Sequence, residues 1–176
     1  MSKILLTSDT HWGHSNILTF KRDDGTPLRP FSSREEMDET MIDNWNKVVG
    51  SNDKIYHLGD VGFKNATFFE SIFSRLNGTK VLIKGNHDQL KLSVYMKYFK
   101  DIRAVHQLDK IILSHIPIHP ESIGRWRGNI HGHTHANKLS DPRYFNVCVE
   151  HTNYTPIDFE EIRCYYKSIG AYEEKK

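Results

Sequence analysis

Residues 130–139 read IHGHTHANKL and place His131, His133 and His135 at alternate positions. Alternate residues of an extended segment point to one face, and imidazoles gathered on one face are costly to bury without partners. A metal ion is the partner this grouping suits. The stretch holds no cysteine and no carboxylate, so the rest of any site has to come from elsewhere in the chain. Asp9, His11, Asp60, Asn86 and His115 can supply it. Together with His133 and His135 they offer oxygen and imidazole nitrogen but no thiolate. That argues against a structural zinc site and suits Mn, Fe, Zn, Co or Ni at a catalytic one. The set also exceeds the needs of one ion. With one carboxylate shared, each of two ions receives four donors, and a pair of ions roughly 3.5–4 Å apart suits in-line displacement at phosphorus.

Each donor follows a segment that reads as a strand. KILLTS (3–8) leads into Asp9 and His11, and KIYHL (54–58) into Asp60. KVLIK (80–84) leads into Asn86, His87 and Asp88, KIILS (110–114) into His115, and Asn129-Ile130 into the histidine run. Ligands of open α/β sheets bind beyond the carboxyl ends of strands, so these ends can share one edge. Gly59, Gly85 and Gly132 accompany them and permit tight turns and close backbone approach.

The elements between can be read more coarsely. Ser33 opens a helix with Glu36 placed to complete a capping box, and Met37, Met41, Trp45 and Val48 keep helical spacing. Asn65 caps a second helix carrying Phe68, Phe69, Ile72, Phe73 and Leu76, which Asn77-Gly78 ends. LKLSVYMKYF (90–99) reads as helical. IRAVHQ and KIILSH read as a hairpin around Leu108-Asp109, YFNVCVE (144–150) as a strand, and a last helix starts near Asp158. Residues 19–31 are turn-rich and read as a surface loop. Strands alternate with helices early and dominate later, which gives α/β with one parallel-rich and one more antiparallel sheet.

Composition bounds the rest. The 176 residues are 38% hydrophobic and 26% charged, as expected of one soluble domain spanning 1–176. The formal net charge of +2 does not by itself argue for a nucleic-acid or membrane partner. No apolar run approaches the roughly 18 residues of a membrane span, and MSKILLTSDT reads as a first strand, not a signal peptide. Cys148 and Cys164 form no CxxC pair, which suggests a reduced, cytoplasmic setting.

DTH (9–11), GD (59–60), GNHD (85–88), SH (114–115) and GHTH (132–135) occur in the order used by calcineurin-like metallophosphoesterases, which this chain resembles from Asp9 to His135. The run RPFSSREEMDETMIDNWNKVV…DKIYHLGD further resembles a small stand-alone bacterial and phage branch. The resemblance implies a four-layer αββα sandwich of two mixed sheets flanked by helices. It implies two divalent ions, Mn foremost with Fe, Zn, Ni or Co as alternatives. Asp9, His11 and His135 would hold the first, Asn86, His115 and His133 the second, and Asp60 would bridge them. A bridging hydroxide would attack phosphorus, His87 would protonate the leaving oxygen and Asp88 would orient His87. Protein Ser/Thr phosphatases of the superfamily carry an Arg after the second motif and GNHE for the third; GDVGFKN and GNHD depart from both.

The expected activity is hydrolysis of phosphodiesters, nucleotide or nucleic-acid derived, because a dianionic monoester usually needs cationic clamps and no Arg adjoins the core motifs in sequence. A phosphomonoesterase acting on a small metabolite or nucleotide is the alternative. A non-catalytic, metal-containing nucleotide-binding module is the rival of another class, and no protein partner is inferable. GRWRGN (124–129) suggests a substrate lid tethered to the metal edge, with Arg125 and Arg127 on phosphate and Trp126 on a base. His14 either contacts the site or substrate or braces its loop. His131 reads as support for its neighbours, and His57 as core.

Overall fold

The computed structural model describes residues 2–62 and 65–173; Phe63 and Lys64 of GDVGFKN lie outside them. The chain is α/β with two mixed sheets. The first has the order β4 (Phe99–Arg103), β3 (Thr79–Ile83), β2 (Lys54–His57), β1 (Ile4–Thr7) and β9 (Ile157–Asp158). Its pairings are parallel except β1 with β9. The second has the order β5 (Val105–Leu108), β6 (Ile111–Ser114), β7 (Gly128–His131) and β8 (Tyr144–Asn146).

Period-2 alternation divides the core. Leu5, Ile55 and Leu82 face a cluster that includes Met37, Met41 and Trp45 of α1 (Arg34–Val48) and Phe69 and Phe73 of α2 (Ala66–Phe73). Their neighbours Leu6, Tyr56, Val81 and Ile83 face Ile111, Leu113 and Ile130 of the second sheet. Phe159, Ile162 and Tyr166 of α5 (Phe159–Ser168) complete that second cluster. Strands buried on both faces read as continuous apolar runs, which is why KILL, KIYHL and KVLI were recognisable.

Several expectations need correction. The second sheet is not antiparallel in the main: only β5 and β6 pair that way, whereas β6–β7 and β7–β8 are parallel. IRAVHQ is not one strand, because β4 ends in the first sheet at Arg103 and β5 begins in the second. The hairpin turn itself holds, with Asp109 and Lys110 both at positive φ. LKLSVYMKYF keeps one helical turn, α3 (Leu92–Tyr95), before Phe99 pairs with β3. α2 ends at Phe73, and i→i+3 bonds from Arg75 and Leu76 tighten the chain towards Gly78. Ser33 caps α1 through Glu36 N, and the Glu36 carboxylate accepts chiefly from Ser32, with Ser33 N as a weaker partner. The YFNVCVE strand covers three residues, Tyr144–Asn146. Among the described residues no helix is long and apolar enough to cross a membrane.

His57 is fully buried between Trp12 and Trp45, as core. Gly59 N donates to its Nδ1, so Nε2 carries the proton towards Thr10 Oγ1. Burial pushes its pKa down to about 3. The unfolded chain therefore takes a proton below pH ~6.5 that the folded chain refuses until about pH 3. This contribution to stability is full above pH ~6.5 and falls by about 1.4 kcal/mol per pH unit on acidification. Urea denaturation across that window should show the advantage of wild type over His57→Phe shrinking at this rate; a pH-independent difference would contradict the neutral, buried imidazole.

Candidate metal centre

The ends of β1, β2, β3, β6 and β7 open on one edge, and the expected donors meet there. Asp9, His11 and His135 form one group and Asp60, His115 and His133 another, the donor atoms in each lying within 4.8 Å of one another. In the first, Asp9 Oδ1 faces His11 Nε2 at 3.6 Å and His135 Nε2 at 4.0 Å. In the second, His115 Nε2 lies 3.4 Å from Asp60 Oδ2 and 2.8 Å from Asn86 Oδ1, which is also 3.1 Å from His133 Nδ1. Asp60 Oδ2 is 3.7 Å from His11 Nε2 as well, so a single oxygen faces one histidine of each group.

These donors are held in position at a conformational cost. Asp9, His11, Asp60, His133 and His135 all adopt positive φ, between 47° and 69°. Non-glycine residues rarely do so, and such strain gathers where function requires it. Two glycines let the loops interlock. A Cβ on Gly85 would stand 2.2 Å from Asp60 Oδ1, and one on Gly132 would stand 2.0 Å from Ser8 Oγ and 2.3 Å from Asp9 Oδ2.

The donor set fits metal ions. Asp9 is fully buried and its Oδ1 accepts no hydrogen bond among the described residues, whereas Oδ2 accepts from Ser8 Oγ, His133 N and Cys148 Sγ. His115 Nδ1 donates to Leu58 O and His135 Nδ1 to Glu150 Oε1. Each Nε2 therefore points its lone pair at carboxylate or amide oxygens, acceptor against acceptor, which only a cation or a proton relieves. Protein ligands sit about 2.0–2.2 Å from such an ion, consistent with the carboxylate–histidine separations of 3.4–4.0 Å. The field is also set for bound cations. Burial opposes ionisation of Asp9 and Asp60, but the neighbouring histidines outweigh it and hold both carboxyls low. Burial likewise pushes His11 and His133 down towards the neutral, metal-binding form.

Other expected residues fall differently. His87 is exposed at the rim, its ring 5.8 Å from that of His11 and its backbone N–H donating to Asp60 Oδ1. Asp88 does not serve as the orienting partner of that ring: it is buried, and its oxygens accept from the backbone N–H groups of Gly85, Asp60 and Val61. It ties the second and third motifs together. His14 caps a short 3-10 helix, Ser15–Thr19, through Ile17 N and lies edge-on to His11 at 5.9 Å. His131 is buried, donates from Nδ1 to Gly132 O and belongs to neither group.

The GRWRGN lid is overturned by topology. β6 and β7 run parallel, with Ile111 beside Gly128, so the connection after His115 travels back the length of the sheet. Residues 124–127 lie at the end opposite the histidine run. There Arg127 donates to Asp109 and lies over the Tyr172 ring at 3.8 Å, while Arg125 covers Trp126. Arg125, Trp126 and Arg127 do not line the centre.

Three residues of the site were not foreseen. Arg29 is 1% exposed. It donates to the carbonyls of Asp9 and Thr10 and pairs with the buried Glu150 at 2.7 Å. Glu150 in turn holds His135, and the Cys148 thiol, which burial keeps protonated, donates to Asp9. An Arg does therefore adjoin the first motif in space, with its donors directed inward.

No protein-family model matches this sequence. The uncharacterized protein MJ1445 of Methanocaldococcus jannaschii is 36% identical over 92% of this chain and 90% of its own. The Gene 66 protein of Mycobacterium phage L5 is 27% identical over 77% of this chain and 79% of its own. The crystal structure of the protein of unknown function AQ665 from Aquifex aeolicus superposes with a TM-score of 0.75 and 28% identity, covering 93% of this chain and 99% of that one.

Proposed function

We propose that this chain, which belongs to the same family as the uncharacterized archaeal protein MJ1445, is a two-metal phosphoesterase of the calcineurin-like kind. The observation that carries the reading is Asp60 Oδ2 standing between two histidine–aspartate groups, 3.7 Å from His11 and 3.4 Å from His115. The stack of helices, first sheet and second sheet accords with the αββ part of the αββα architecture of that kind. Asp9, His11 and His135 would hold one ion, Asn86, His115 and His133 the other, with Asp60 shared and Mn as the first metal to try. When bound, the ions supply Lewis acidity towards phosphate oxygens and water.

The chain's own residues do the rest. Arg29 and Glu150 fix the backbone of Asp9–Thr10 and the ring of His135. Asp88 locks the loops of Asp60 and Gly85. From the exposed rim, His87 would protonate a leaving oxygen. Phosphodiesters are the favoured class: Arg29 cannot clamp a dianionic ester, because its donors are committed to Asp9, Thr10 and Glu150. Chelation and dialysis should abolish hydrolysis of bis-p-nitrophenyl phosphate, and Mn²⁺ should restore it. Full activity in excess EDTA sinks the proposal.

His87→Ala should retain both ions by elemental analysis, since His87 belongs to neither group. Its kcat should fall by roughly 10²–10⁴-fold, the usual contribution of a positioned acid. Loss of an ion in this variant would show that His87 has been given the wrong role.

A further inference from the structure

We propose that the hairpin of residues 20–28 is the specificity element of this centre, and that it takes a nucleoside phosphodiester carrying a further phosphate, as at the end of a short oligonucleotide. This rests on the phosphoesterase reading. Phe20, Lys21, Arg22 and Leu28 face His133 and His135 across an open cleft of about 460 Å³. That volume lies within the usual range for small-molecule sites. Two of its wall residues are metal-site histidines, so a phosphate held at the centre directs its remaining substituent into the cleft.

The cleft presents what a nucleotide needs. Phe20 is 48% exposed and is the aromatic member of the exposed large apolar side chains among the described residues. Its ring lies edge-on to His14 at 5.9 Å, and His14 edge-on to His11 at 5.9 Å, so the free aromatic face stands two rings from the donors. Bases stack on such faces. Lys21 is exposed and makes no ion pair among the described residues, and Arg22 lies beside it. Lys21 and Arg22 line the cleft with Asp23, while Asp24 is turned to Thr26 N and Oγ1 and is not part of the lining, so the two cations suit a second phosphate. A lipid diester would require a broader apolar wall than Phe20, Leu28 and Ala136 provide, and a sugar phosphate would leave the Phe20 face unused.

The hairpin is also preorganised, which lowers the ordering cost of binding. Arg22 N donates to Thr26 O and Leu28 N to Phe20 O, both at 2.8 Å. Directly after it, Arg29 is anchored beneath Asp9 and Thr10.

The test compares two esters with the same leaving group: the p-nitrophenyl ester of thymidine monophosphate and methyl p-nitrophenyl phosphate. Metal-loaded wild type should prefer the thymidine ester in kcat/KM by about tenfold, the scale of one stacked base. Phe20→Ala should erase most of that ratio. Phe20→Leu, which keeps an apolar contact on His14, should do the same and so separates stacking from folding. Arg125→Ala, at the far end of the sheet, should keep the ratio. A ratio unchanged in both Phe20 variants, or lost equally in Arg125→Ala, overturns the proposal while leaving the phosphoesterase reading intact. If wild type cleaves neither ester, that reading fails and a second measurement decides the cleft on its own. Fluorescence anisotropy of a labelled trithymidylate in Mn²⁺ should give a Kd about tenfold higher for Lys21→Ala with Arg22→Ala, and a shallower salt dependence because phosphate contacts are lost. An equal Kd and equal salt slope overturn the inference whatever the turnover.

Discussion

On the two-metal phosphoesterase proposal, Asp60→Asn should lower hydrolysis by more than about 100-fold and weaken both ions together. Loss of a group that merely supports a ligand costs roughly 10–100-fold in metal affinity or activity, and a shared ligand should exceed that range. Among the described residues, Oδ2 of Asp60 is the oxygen set between the groups, while Oδ1 receives the backbone N–H of His87. Asparagine removes the negative charge from both groups and leaves the backbone largely undisturbed. Titration with Mn²⁺, followed by activity and by elemental analysis, checks this. The comparison is Asp9→Asn, which should weaken the first ion alone, because Asp9 Oδ1 faces only His11 and His135 among the donors. If Asp60→Asn keeps one ion at wild-type affinity, the carboxylate is not shared.

Arg29→Ala destabilises the fold by about 3–5 kcal/mol, the usual effect of removing one partner of a buried ion pair. Both side chains of the Arg29–Glu150 pair are fully buried. The truncation leaves Glu150 charged in a dry environment, and it also strips donors from the carbonyls of Asp9 and Thr10. In a protein of this size the midpoint of thermal unfolding should fall by about 10 °C. Removing the uncompensated charge as well, in Arg29→Met with Glu150→Gln, should recover part of the loss. A cost below about 1 kcal/mol for Arg29→Ala, on the scale of an exposed pair, would show that water reaches Glu150.

The donors themselves were legible in the sequence. Each follows a short apolar run, and such runs become parallel strands whose carboxyl ends share an edge. Asp9, Asp60, Asn86, His115, His133 and His135 therefore gather where their order suggested, and Gly85 and Gly132 mark where the loops touch. The caps were local enough to read too: Ser33 and Asn65 each bond an amide three residues on. Even there Glu36 bonds Ser32 more closely than the cap residue, because side-chain partners one residue apart cannot be separated by spacing alone.

What holds the donors was not legible. Arg29 reaches Glu150 across 121 residues and Cys148 reaches Asp9 across 139. No local period encodes such contacts, and Arg29 lies in a stretch whose composition reads as surface. Asp88 sits beside His87 in the chain yet bonds the backbone at Asp60 and Val61. The GRWRGN segment was misplaced for the same kind of reason: its distance from the histidine run depends on whether β6 and β7 run parallel, and strand direction is set by packing across the sheet. Residue type and order thus determined which groups could do chemistry. Long-range pairing, through burial and strand direction, determined which side chains support them and which loop faces the open edge.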